Sequence, residues 1–271
     1  ITPVLCGSAL AWTETGSLHW LPAIAAFCSA ILIQIGTNLY NDAADFERGA
    51  DTRERIGPKR ATAEGWFAAH QVKRAAHISF GLASLAGIYL VWLAGWPLLV
   101  AGLLSLLAGY GYTAGPRPIA YSGAGEVFVF IFFGLVAVMG SYYIQCTCIS
   151  GNAFLVACAV GALAAAVLLV NNYRDLETDE RAGKLTLVHY LGRKGSWLLY
   201  GFLLLAPFSI LFFLSDAAGN WLALLALPPA LVLLHRFVSL APGPAFNLIL
   251  AQTAKLQLIY GLLLTLGLVL W

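Results

Sequence analysis

The chain has 271 residues, 60% of them hydrophobic and 10% charged, with a mean hydropathy of +0.81, whereas a soluble domain carries about 25% charged residues. This excludes a soluble globular domain and defines an integral membrane protein; at roughly 20 apolar residues per crossing the chain has room for eight or nine spans and no separate soluble module. The net charge of +2 is less informative than where the charges sit.

Apolar windows bounded by Gly, Pro and charged residues predict nine helices, at 1–13, 19–42, 69–94, 97–113, 125–145, 152–175, 195–214, 219–237 and 247–270. The expected fold class is therefore an all-α membrane protein, one nine-helix bundle forming a single polytopic domain over residues 1–271. The first helix opens directly on Ile1-Thr2-Pro3, so it is expected to be truncated at its start, and no signal-peptide pattern precedes it. All fifteen Lys and Arg fall in four alternate connections: residues 48–74, Arg117, residues 174–194, and Arg236 with Lys255. Basic residues collect on the cytoplasmic side. The sorting predicts nine crossings with a cytoplasmic N-terminus and a C-terminus on the opposite face.

The five cysteines, Cys6, Cys28, Cys146, Cys148 and Cys158, show neither C-x-x-C nor a His/Cys metal spacing. Cys146 and Cys148 share a loop, but a bond between them closes a strained ring, and they are expected to be unbridged.

Two stretches are unlike the rest. From Gln34 to Arg60 an apolar run ends in Asp42, Asp45 and Asp51 and then in a group of arginines. A second apolar run, Gly161 to Val170, ends in Asp175, 133 positions after Asp42, and Asp179, again with asparagines before and basic residues after. Both lie at the cytoplasmic ends of even-numbered spans and can meet there. On a continuous helix Asn38, Asp42 and Asp45 share one face, as do Asp175 and Asp179, because residues three and four apart are neighbours. A lone aspartate at a helix end is commonly a solvated flank; two matched clusters on one side point to a site.

Carboxylates brought together repel, and a hard cation relieves them. Mg²⁺ takes one or two carboxylates plus waters and substrate phosphate oxygens. The absence of cysteine from both clusters and the scattered histidines argue against zinc. Arg48, Lys59, Arg60, Arg174, Arg181 and Lys184 surround the acids. Of these, Arg60 and Lys184 are the expected phosphate ligands, and the cytoplasmic charge bias accounts for much of the remaining basic loop. An anion bound here beside an apolar bundle suits a lipid diphosphate, with Tyr40, Tyr110, Tyr112, Tyr121 and Tyr173 available as π faces for an allylic cation. A cation transporter is the alternative from another class, but transporters bind near the bilayer midplane and these acids sit at span ends.

The chain resembles the UbiA superfamily of intramembrane aromatic prenyltransferases. The superfamily's N-D-x-x-D motif with a later Asp appears as Asn41-Asp42-Ala43-Ala44-Asp45 with Asp51, and its D-x-x-x-D motif as Asp175 to Asp179. It is most similar to the branch that prenylates 1,4-dihydroxy-2-naphthoate in menaquinone synthesis, through Asn38 to Asp51, Tyr112 to Gly134 and Asn171 to Lys194. The resemblance implies one Mg²⁺ on Asp42 and Asp45, with Asp51 nearby, and a second on Asp175 and Asp179. It implies that Asn38, Asn41 and Asn172 orient these ligands or the diphosphate, and that Arg60 and Lys184 hold it. Tyr112, Arg117 and Tyr121 would cap the site beside the aromatic acceptor. It further implies a polyprenyl diphosphate as donor, loss of CO₂ from the acceptor, a multi-pass place in the cell inner membrane and an active site facing the cytoplasm. The lipid bilayer is an expected partner and nucleic acid is not. Prenylation of 4-hydroxybenzoate or a related ring is the nearer alternative.

Overall fold

The computed structural model describes residues 1–50, 56–115, 118–214 and 218–270, and among these it contains helices and no strands. Its principal elements are α1 (Thr2–Thr15), α2 (Trp20–Glu47), α3 (Ala69–Ala94), α4 (Trp96–Gly111), α5 (Gly125–Cys146), α6 (Gly151–Arg174), α7 (Leu176–Arg181), α8 (Leu187–Phe213), α9 (Gly219–Ser239) and α10 (Phe246–Leu270). Seven of them, α2, α3, α5, α6, α8, α9 and α10, are long and apolar enough to cross a membrane; α4 is a shorter apolar helix of 16 residues and α1 has 14. Their outward faces are greasy, with Trp92, Trp96, Leu198 and Phe213 at least 72% exposed. Backbone polar groups in lipid must be satisfied within the segment, and helices do this.

A helix stands at each position expected from hydropathy, seven of them long and apolar enough to cross a membrane among the described residues, with four local differences. α2 runs five residues beyond its expected end and carries Asn38, Asn41, Asp42 and Asp45 on one continuous helix. α8 begins at Leu187 rather than 195 but is broken at Gly192, where φ is 62°. A short helix at the membrane surface therefore precedes the long apolar one. The first turns of α9, Ala218–Ala226, are 3₁₀ rather than α. Finally, Cys146 and Cys148 are bonded. α5 ends at Cys146, Thr147 adopts a left-handed φ of 52°, and the turn brings Cys148 back onto its neighbour. Sequence spacing alone did not reveal that turn.

The bundle has two parts. The larger core unites α1, α5, α6, α8, α9 and α10, with α6 in its middle: 72% of the apolar window of α6 is buried, against 17% for α2 and α3. α6 and α5 approach most closely at Gly134 and Gly161. A Cβ on Gly134 would lie 2.5 Å from the Ala157 carbonyl, and one on Gly161 would lie 2.8 Å from the Phe130 carbonyl. Small residues at such crossings let backbones pack in the absence of a hydrophobic force between helices. Around Gly134, from Phe130 to Met139, α5 is wound as a π-helix. The smaller part, α2, α3 and α4, packs through Tyr40, Ala44, Ala76 and Ala114. It meets the larger one at a patch of Val4, Ala26, Leu90 and Ile144.

Candidate active site

Between the two parts lies a chamber of about 860 Å³. Its floor reaches the Val4, Ala26, Leu90 and Ile144 patch, and its mouth is bordered by Asn38, Asn41 and Arg60 on one side and Asn171, Asn172 and Lys184 on the other. Along α2 alone, Ala26 to Asn41 spans ~22 Å at 1.5 Å per residue. The walls are apolar and aromatic, including Phe128, Phe132 and Phe133. A long apolar tail with a polar head fits such a space.

On the α2 side, Asp42 and Asp45 are both buried and do different things. Asp42 Oδ2 accepts the Ala61 N–H at 2.9 Å, and Oδ1 accepts the Thr62 N–H at 3.3 Å and the Thr62 hydroxyl. It thereby pins the segment after α2 and sets Arg60 at the chamber mouth. Asp45 Oδ1 accepts the Tyr121 hydroxyl at 3.0 Å. Arg48 lies 5.3 Å over the Tyr121 ring and donates to the carbonyls of Thr113 and Gly115, so it fastens the α4–α5 connection over the acids. Burial and the adjacent Asp45 push the Tyr121 phenol up, which keeps it a donor. Asn41 Oδ1 accepts from Thr113 Oγ1 at 3.3 Å, leaving its NH₂ to offer to an anion.

On the other side, α6 ends at Arg174 and α7 begins at Leu176. Asp175 is the joint, and the Asp179 N–H still donates to the Asp175 carbonyl at 2.8 Å. The break lets adjacent side chains meet. Arg174, 1% exposed, donates from Nε to Asp175 Oδ1 at 2.8 Å and from Nη2 to Oδ2 at 2.6 Å. The same guanidinium donates to Asn171 Oδ1 at 2.9 Å and Asn247 Oδ1 at 3.0 Å, and Asn247 Nδ2 donates to the Ile56 carbonyl at 2.9 Å. Arg174 thus joins α6, α10 and the segment after α2, and its role is to hold Asp175. Asp179 is paired with Lys184 at 3.3 Å. Burial raises its carboxyl to about 6, Lys184 opposes the rise, and Asp175 and Asp45 add to it.

Asp45 and Asp179, from the two acidic stretches, act on each other electrostatically, and neither lines the chamber itself. Tyr112, which feels Asp45, Asp179 and Glu126 and whose phenol burial pushes up, stands between the two sides. Asn38, Asn41, Arg60, Asn172, Lys184 and Tyr112 line the chamber; Tyr121 instead bonds Asp45. Asp51 and Arg117 lie outside the described residues. One acid was missed. Glu126, in the first turn of α5 and 3% exposed, accepts from Asn172 Nδ2 at 2.8 Å. A carboxylate opening an apolar span is rare enough to signal function, and that signal was present in the sequence.

Among the described residues, no three acidic, histidine or cysteine side chains stand together as a ready metal cage. The donors fit a cation of another kind. Asp45 and Asp179 are hard oxygen ligands crowded enough for burial and mutual repulsion to raise Asp179. Mg²⁺ completes its shell with substrate phosphate and water rather than with protein alone.

A helical membrane bundle with a tail-sized chamber whose polar end carries asparagines, Arg60 and Lys184 is suited to amphiphilic substrates with an anionic head. Comparison with known proteins makes the class specific. The UbiA prenyltransferase family matches residues 1–244, and the chain belongs to that family. It is 40% identical to the 1,4-dihydroxy-2-naphthoate octaprenyltransferase of Escherichia coli, over 97% of this chain and 89% of that one. It is 34% identical to the protein of the same description from Bacillus subtilis, over 98% and 86%. Among solved structures, a UbiA homolog from Archaeoglobus fulgidus bound to DMAPP and Mg²⁺ superposes with a TM-score of 0.67 at 15% identity, covering 99% of this chain and 95% of that one. The apo UbiA homolog from Aeropyrum pernix gives 0.70 at 14% identity, over 98% and 95%.

Proposed function

We propose that this protein transfers a polyprenyl group from an allylic diphosphate to 1,4-dihydroxy-2-naphthoate, with loss of the ring carboxylate as CO₂. The observation that carries the reading is the chamber itself, an apolar space for a prenyl tail with Asn38, Asn41, Arg60, Asn172 and Lys184 at its polar end, where Lys184 pairs with Asp179. The full-length similarity to the naphthoate enzymes favours that acceptor over 4-hydroxybenzoate.

The allylic C–O bond breaks and the diphosphate leaves with the electron pair. The allylic carbon bonds the ring carbon that bears the carboxylate, and the C–COO⁻ bond breaks, its electrons restoring the aromatic ring as CO₂ departs. The negative charge of the two substrates leaves on the diphosphate. Bound Mg²⁺ supplies charge stabilisation of that leaving group. Asp45 and Asp179 would hold it, with Asp42 and Asp175 from the same two stretches; Asp51 is the further ligand that the motif implies. Asn38, Asn41, Arg60 and Lys184 hold the diphosphate, their donors directed where charge grows. The aromatic walls keep water from the cation and face it with π density. Tyr112 stands on the acceptor side, Arg117 is assigned to the acceptor by the motif alone, and Tyr121 fixes Asp45.

The acidic mouth lies on the side that carries the basic connections, so the site faces the cytoplasm and the protein sits in the inner membrane. Nine crossings, with α1 and α4 as the short ones, fit the same charge sorting. The test is product mass spectrometry with purified protein, Mg²⁺, either aromatic acid and prenyl diphosphates of several lengths. The reading expects a decarboxylated prenyl naphthoquinol or its quinone, and a product from hydroxybenzoate alone would overturn the acceptor.

A further inference from the structure

Glu126 is a buried carboxylate that the mechanism above leaves unused. It is 3% exposed, its Oε1 accepts from Asn172 Nδ2, and its Oε2 has no hydrogen-bond partner among the described residues. Burying a carboxylate costs free energy unless it is paired. A structural acid at this position would be expected to have both oxygens satisfied.

The direction of the hydrogen bond settles what Asn172 offers. Asn172 Nδ2 donates to Glu126 Oε1, so the amide turns its NH₂ toward Glu126 and its carbonyl Oδ1 away. Asn172 lines the chamber, and its Oδ1 makes no hydrogen bond among the described residues. The mouth thus presents an acceptor at this position. A diphosphate has only acceptors to give and cannot use it, and neither can a carboxylate. A hydroxyl can.

The surroundings suit a flat ring. A Cβ on Gly125 would lie 3.4 Å from Leu168 Cδ2 and 3.6 Å from the Tyr112 hydroxyl, so Tyr112 stands directly beside the start of α5. The Tyr112 ring centroid is 6.4 Å from that of Phe128. Lys184, also at the chamber mouth, acts electrostatically on Glu126, and Tyr112 feels Glu126 in turn.

We propose that Glu126 is a positioning residue for the aromatic acceptor: it holds Asn172 with the carbonyl toward the chamber, and that oxygen accepts a ring hydroxyl of the acceptor. This rests on the aromatic prenyl transfer proposed above. The hydroxyl bond fixes the ring against the Tyr112 and Phe128 wall and sets which ring carbon meets the allylic cation.

The test compares dihydroxynaphthoate with its mono-methoxy analogues in the purified enzyme, for wild type, Glu126→Leu, Glu126→Gln and Asn172→Leu. Wild type should prefer the hydroxyl form over one methoxy isomer by about tenfold or more in kcat/KM. Glu126→Leu and Asn172→Leu should raise KM for dihydroxynaphthoate about tenfold and reduce that preference to within twofold. KM for the prenyl diphosphate and the Mg²⁺ requirement should stay within twofold. Glu126→Gln keeps an acceptor oxygen for the Asn172 NH₂ and should retain the wild-type preference. If Glu126→Leu does not fold, Asn172→Leu and Glu126→Gln carry the comparison. Preference unchanged in the leucine variants, or a rise in the Mg²⁺ or diphosphate requirement in place of the acceptor KM, overturns the inference. Absence of any naphthoate product from wild type overturns instead the function on which it rests.

Discussion

The two acidic stretches reach the chamber mouth on different kinds of support. Asp42 and Asp45 ride an unbroken helix at the edge of the bundle, where 17% of the apolar window is buried. Asp175 and Asp179 straddle a break at the end of the most enclosed helix, where the figure is 72%. On the edge, geometry is set by hydrogen bonds to a long connection: Asp42 to Ala61 and Thr62, Asp45 to Tyr121. In the centre it is set by one buried guanidinium. The difference is a division of support: the edge stretch is held by local hydrogen bonds to one connection, the central stretch by a buried ion pair.

The comparison can be broken first at the acids themselves. Asp45→Asn and Asp179→Asn should each lower product formation by roughly 10³-fold, the scale for losing a preorganised charge partner, with helix content unchanged. Equal loss on both sides is expected, because one diphosphate needs both. Next comes the anchor. Arg174→Leu leaves Asp175 buried without its partner, which costs about 3–5 kcal/mol and should appear as a large drop in thermal stability in detergent. Arg174→Leu with Asp175→Leu should recover much of that stability and none of the activity.

On the edge the effects should be smaller and local. Asp42→Ala leaves the Ala61 and Thr62 amides unpaired, at about 1–3 kcal/mol, and should sharply increase protease cleavage between residues 48 and 68 while the central helices resist. A global loss of stability equal to that of Arg174→Leu would contradict the division. The smallest change is Tyr121→Phe, which removes one hydrogen bond to Asp45 and should reduce kcat no more than about tenfold, read in the same product assay.

Much of this fold was legible in advance because hydropathy is a direct readout of the bilayer. The site was legible in part. Asn38, Asp42 and Asp45 on one face followed from helical spacing, and the structure extends α2 through them. The Arg174–Asp175 pair was not readable, because neighbours in sequence do not face each other on an intact helix and only the joint at Asp175 lets them meet. The bond between Cys146 and Cys148 depended in the same way on one left-handed residue, Thr147. Glu126 was readable and overlooked: the helix-opening acid sat inside the Tyr112 to Gly134 stretch, which was read only for its family resemblance. The chamber could not be read from periodicity at all, since it arises from how two groups of helices fail to close on each other.

The account depends on one head group bridging the edge and the centre, and Mn²⁺ in place of Mg²⁺ makes that visible. Electron paramagnetic resonance of the purified protein with Mn²⁺ and a non-reactive prenyl thiolodiphosphate should show a tightly bound ion coupled to phosphorus only when the analogue is present. That signal should vanish in Asp45→Asn and in Asp179→Asn alike. A phosphorus-coupled signal that survives intact in either variant would mean that one stretch suffices, and the bridged site described above would be wrong.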